Sequence, residues 1–77
     1  MMVELVEAIA KSLVDHPEAV EVRQVEGRTT SVIELRVAPA DMGKVIGKQG
    51  RIAKAIRTVV KAAATKSNQR IAVEIIQ

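Results

Sequence analysis

The 77-residue chain predicts an α+β fold of order α-β-β-α-α-β, in one domain spanning residues 1–77. Three observations carry that expectation. Apolar residues recur at helical spacing near the N-terminus, two segments rich in β-branched residues flank Gly27, and a second helical stripe is followed by a short alternating segment at the end.

Met2, Leu5, Val6, Ile9, Ala10 and Leu13 fall on one side of a helix, with Glu4, Glu7 and Lys11 elsewhere, until Pro17 stops the run. Residues 20–25 then form a strand, Gly27 a turn, and Ile33, Leu35 and Val37 alternate with Val32, Glu34 and Arg36 in a second strand. The result is a hairpin with one buried face. Period two falters at Gln24 and Val25, where a bulge and an early strand end are the two alternatives.

Pro39 breaks the second strand, and Asp41 stands where an acidic group favours the first turn of a short helix through Met42, Val45 and Ile46. Gly47 ends that helix. A longer helix starts near Gly50 and runs to about Lys66, with Ile52, Ala55, Ile56, Val59 and Ala63 as its apolar stripe and Arg51, Lys54, Arg57 and Lys61 on other faces. Ser67 and Asn68 turn the chain into a last strand, where Ile71, Val73 and Ile75 alternate with Ala72 and Glu74. No linker, repeat or low-complexity tract interrupts this order.

Charge is divided unevenly. Residues 1–41 carry four basic and eight acidic side chains, a balance of −4, whereas residues 42–77 carry eight basic and one acidic, a balance of +7. From Met42 to Val73 there is no acidic residue at all. A clustered positive field concentrates polyanions and adds binding through counterion release, so phosphate is the first ligand to consider.

Composition argues against most enzyme chemistry. With no cysteine there is no thiol nucleophile or thiolate metal site, and His16, a helix-end residue, has no partner for a metal cluster or a catalytic pair. Neither a cofactor nor a metal is expected. Glu4 and Glu7 stand where a signal peptide would carry basic residues, and no apolar run approaches the roughly 18 residues that span a bilayer. A soluble cytoplasmic protein is the expectation.

The segment Val45-Ile46-Gly47-Lys48-Gln49-Gly50-Arg51-Ile52 concentrates the chemistry. Without Cβ atoms at Gly47 and Gly50 the backbone can turn tightly between two helices and approach a sugar-phosphate chain. Arg51 opens a helix whose first-turn amides favour an anion, and Lys48 adds a mobile cation at the loop tip. Val45, Ile46 and Ile52 divide between core and an aliphatic floor for bases, since both settings demand such side chains. Basic residues at Lys44, Lys54, Arg57 and Lys61 suit phosphate contact and simple solubility equally.

Continued by Ala53-Lys54-Ala55-Ile56, this segment resembles the signature of KH domains, readers of single-stranded RNA and DNA whose Gly-X-X-Gly loop clamps about four nucleotides. Forty-six residues precede Gly47 and 27 follow Gly50, which leaves room for one helix and one strand after the loop. That is similar to the bacterial type II KH order. The resemblance implies a three-stranded sheet, entered by the last strand and packed by three helices. Together with the chain's length, Asp41-Met42-Gly43-Lys44 and the run at 55–60, it points to the small KhpA-type family.

What that resemblance implies is a cytoplasmic single-stranded RNA-binding protein, an RNA chaperone or post-transcriptional regulator linked to cell elongation and division. The RNA-contact candidates are Lys44, Val45, Ile46, Gly47, Lys48, Gln49, Gly50, Arg51, Ile52 and Lys54. It also implies self-association or pairing with a larger KH protein of the KhpB or Jag type. Val59, Val60 and Ala63 are the candidate surface, because Val60 lies about 100° from Val59 and either one stays exposed or both are buried. Two competing readings are a dimerisation adaptor with secondary RNA contact and a ribosome-assembly factor.

Overall fold

The computed structural model describes residues 2–76. Helix α1 is Met2–Leu13, β1 Glu21–Glu26, β2 Ser31–Arg36, α2 Met42–Ile46, α3 Arg51–Lys66 and β3 Ile71–Ile76. The expected order holds. Single 3-10 turns fill Pro17–Ala19, Pro39–Asp41 and Lys48–Gly50, the first two opened by prolines whose fixed φ suits a helical first position.

Strands β1 and β2 pair antiparallel without interruption from Glu21↔Arg36 to Glu26↔Ser31. No bulge forms at Gln24 or Val25. Period two falters there because β1 is an edge strand: Gln24, opposite Ile33 on the helix-bearing side, is exposed, and Val25 on the other side is 42% exposed. Strand β3 joins the other edge of β2, in parallel, with Val73 beside Ile33 and Ile75 beside Leu35. Val37 lies just past β2 and still packs against the core.

The helices cover one side of this sheet. Val6 and Ala10 of α1, Val45 of α2, and Ile56 and Val60 of α3 meet Ile33, Leu35 and Val73 in an all-aliphatic core. The opposite side is solvated, and there Arg23 donates to Glu34 across the strands at 2.9 Å.

Helix α3 is rotated relative to the stripe expected from its sequence. Ala53, Ile56, Val60 and Ala64 are buried, Ile52 and Ala63 lie at the margin, and Ala55 and Val59 are exposed. The expected stripe separates apolar from charged side chains most cleanly. The actual one sets Ile56 and Val60 in the core with Ile33, Leu35 and Val73, and brings Arg57 to the flank of β3, where its Nε donates to the Val73 carbonyl at 3.3 Å. The aliphatic stem of Arg57 can lie along the sheet edge while its charge stays in water.

Asp41 also differs from expectation. It occupies the position before α2 but makes no cap bond there; its side chain is fully buried and accepts the backbone N–H groups of Asp15 at 3.2 Å and His16 at 2.9 Å. Those N–H groups follow the end of α1, where the helical ladder has stopped, and a buried carboxylate satisfies both.

Candidate nucleic-acid interface

Helix α2 closes when the Gly47 N–H reaches the Gly43 carbonyl at 2.8 Å, and Gly47 then takes φ 77°, ψ 173°. Gly50 turns back on the Gly47 carbonyl at 3.1 Å and adopts a left-handed φ of 73°, from which α3 begins at Arg51. Gln49 is also left-handed, at φ 59°, a conformation that costs a side-chain-bearing residue about 1–2 kcal/mol. The loop thus holds three special conformations within four residues.

The two glycines serve different ends. A Cβ on Gly47 would lie 2.6 Å from Ile52 Cγ1, so the turn is folded directly over the first turn of α3. A Cβ on Gly50 would meet nothing within 4 Å. Positive φ selects glycine at both, but only Gly50 opens its backbone to an incoming chain.

Around this turn Lys48, Gln49, Arg51 and Lys54 are exposed. None of these three cations has an acidic partner within ion-pair distance among the described residues. The N-cap Gly50 offers no side-chain cap, which leaves the first-turn amides of α3 and the positive end of its dipole at the loop. Backbone amides, three flexible cations and an uncluttered approach suit a phosphodiester.

The aliphatic candidates separate clearly. Val45 is fully buried and belongs to the core, so it offers no contact to a ligand. Ile46 and Ile52 pack against the core yet stay partly accessible beside the loop. They are the available floor for bases.

Lys44 is engaged elsewhere. Its Nζ lies 3.1 Å from Asp15 Oδ2 and 3.6 Å from Asp41 Oδ1, bonds that push its ammonium above the ordinary lysine range, led by the hydrogen bond to Asp15. Burial alone would raise the Asp41 carboxyl, but the His16 and Asp15 N–H groups and the nearby charges of His16 and Lys44 outweigh it and hold the group below the usual carboxylate range. Asp41 and Lys44 therefore tie α2, and the loop that follows it, to the end of α1. Sequence reasoning missed this tie because the Asp41 bonds span 25 and 26 residues of chain.

Of the pairing candidates, Val60 is fully buried and Ala63 partly so, while Val59 is 45% exposed. Val60 is thereby removed from any partner surface. Among the described residues no helix is long and apolar enough to cross a membrane.

The family model described as KhpA/KhpB, KH domain, matches residues 3–75. The chain belongs to this family. It is 69% identical over 75 residues to "RNA-binding protein KhpA" of Clostridium perfringens, covering 97% of this chain and 100% of the relative. It is 53% identical over 74 residues to the protein of that name from Aquifex aeolicus, covering 96% and 94%. Among solved structures, Aquifex aeolicus Era bound to GDP.AlF4- superposes with a TM-score of 0.68 at 21% identity, over 96% of this chain and 29% of Era. Era in complex with MgGDPNP and nucleotides 1506–1542 of 16S ribosomal RNA superposes with the same score, over 28% of its length. Both likenesses concern the fold, which is the type II KH arrangement that the order of elements predicts.

Proposed function

We propose that this chain binds single-stranded RNA at the loop of Gly47 to Gly50, with Lys48, Gln49, Arg51 and Lys54 against the sugar-phosphate chain and Ile46 and Ile52 beneath the bases. The observation that carries the reading is Gly50: its left-handed backbone faces open space beside exposed cations, in a family whose relatives bear the name RNA-binding protein. The protein acts without catalysis, as a cytoplasmic RNA chaperone or post-transcriptional regulator connected with cell elongation and division.

Exposed Val59 supports a second element of this reading, pairing with another copy or with a larger KhpB- or Jag-type protein through the outer face of α3. Joining two small clamps raises effective concentration without adding any contact to RNA.

Crosslinking and sequencing of a random single-stranded RNA pool tests the assignment, with the Lys48→Asp, Gln49→Asp variant in parallel. Both positions are exposed, so the fold should persist while the added charge repels phosphate. Loss of crosslinks supports the loop as the site. Full retention in a folded variant removes it, leaves the basic face of α3 as a nonspecific RNA contact, and favours pairing as the main function.

A further inference from the structure

At the end of the molecule away from the loop, the turn between α3 and β3 lies against the β1–β2 turn, where the Ser31 N–H donates to the Arg70 carbonyl at 2.9 Å. Two adjoining clefts open at this junction. One, of about 470 Å³, lies between α3 and β3 with Lys61 and Thr65 on its wall; the other, of about 360 Å³, lies under the hairpin turn with Arg28 on its wall. Thr30, Asn68, Gln69 and Arg70 line both.

Their chemistry is one-sided. Among the described residues no aspartate or glutamate lines either cleft. Arg28, Lys61 and Arg70 are exposed and have no acidic partner within ion-pair distance among the described residues. The carbonyls ending α3 do not offset this charge freely, because those of Ala63, Ala64 and Thr65 already accept the N–H groups of Ser67, Asn68 and Gln69. Asn68 takes φ 56° just past the end of α3, a left-handed conformation that asparagine tolerates better than most residues, and its amide side chain is exposed at the junction.

A row of cations leads from the loop to this end. Lys54, Arg57 and Lys61 follow Arg51 along one flank of α3, and that flank borders β3, since Arg57 bonds Val73 and Lys61 shares a cleft with Ile71. From Arg51 to Lys61 the helix rises about 15 Å. A clamp of about four nucleotides at the loop, reaching as far as Lys54, leaves Arg57, Lys61 and the far clefts free for the strand to continue.

We propose that the far clefts are a second contact for single-stranded nucleic acid, in which Arg28, Lys61 and Arg70 meet backbone phosphates and Thr30, Asn68 and Gln69 meet ribose hydroxyls of the strand the loop holds. This rests on the loop's being an RNA site, and it makes the footprint longer than the loop's own.

The test is a titration of the full chain with a four-nucleotide RNA and one of about 12 nucleotides. Three variants accompany it: Arg28→Gln with Arg70→Gln, Lys61→Gln alone, and Lys48→Asp with Gln49→Asp. The double arginine variant should bind the longer RNA about tenfold more weakly and lower its salt slope by about 1.4, because two phosphates of a single strand keep their counterions. Lys61→Gln, on a solvated helix face, should shift both in the same direction by about half as much. Neither should alter binding of the short RNA, since the Debye length is about 10 Å at 0.1 M salt and the far end lies beyond it.

Unchanged long-RNA affinity and slope in folded Arg28→Gln, Arg70→Gln and Lys61→Gln proteins would overturn the second contact. Equal losses for both RNAs would overturn it as well, by showing only a general field. If the loop variant keeps its long-RNA affinity and the far variants lose theirs, the loop assignment fails and the continuous footprint is overturned with it, the far clefts then binding RNA on their own.

Discussion

Asp41 Oδ2 accepts the backbone N–H of His16 at 2.9 Å, so a carboxylate at the start of α2 closes the chain end of α1. The group is held ionised below the usual carboxylate range, and its stability contribution is therefore present above the unfolded carboxyl pKa of about 3.9 and lost as pH falls through the lower folded value. Asp41→Asn keeps one acceptor for two N–H groups. It should lower Tm clearly at pH 7, with the gap from the parent protein closing below about pH 4, as thermal melts across pH will show.

Lys44 and Lys48 should behave differently. Lys44 is committed to Asp15 and Asp41, whereas Lys48 is exposed at the loop tip. Lys44→Ala should weaken RNA binding less than about twofold, and Lys48→Ala several-fold, by titration at low salt.

Replacing the glycines should separate folding from binding. Gly50→Ala meets only the left-handed penalty of about 1–2 kcal/mol, leaving a folded protein with reduced RNA affinity. Gly47→Ala adds a collision with Ile52 and should cost about 2–4 kcal/mol in denaturant unfolding.

Val59 and Val60 offer a contrast on one helix. Val59→Asp should stay within about 0.5 kcal/mol of the parent's stability, because Val59 is exposed, while Val60→Asp places a charge in the core and should unfold the chain. Sedimentation of the Val59→Asp protein reports self-association, and RNA binding that survives in a monomer makes the two functions separable.

Gly43 has no such constraint: it lies in α2, and a Cβ there would meet nothing within 4 Å. Gly43→Ala should stabilise the chain by about 0.5–1 kcal/mol, read from the shift in denaturant midpoint.

The elements were legible because each rests on local rules: Pro17 and Pro39 stop what precedes them, Gly47 ends α2, and period two marks the strands. The loop was legible for the same reason, since positive φ at Gly47 and Gly50 selects glycine whatever surrounds them. Less legible was the buried side of α3. Val59 and Val60 suit a core equally by type, and the choice fell to Val60 once the helix had to lie against the sheet beside β3.

By itself the sequence determined the order of elements, the glycine turn and the acid-poor basic half, because propensity, backbone sterics and net charge act over a few neighbouring residues. Only the tertiary structure decided that Val45 is core, that Lys44 is held by Asp15 and Asp41, that Arg57 reaches Val73, and that Arg28 stands near Arg70. Burial and ion pairing depend on which surfaces face one another. Helix packing and strand pairing bring together side chains that lie far apart along the chain, and no local pattern encodes which of them will meet.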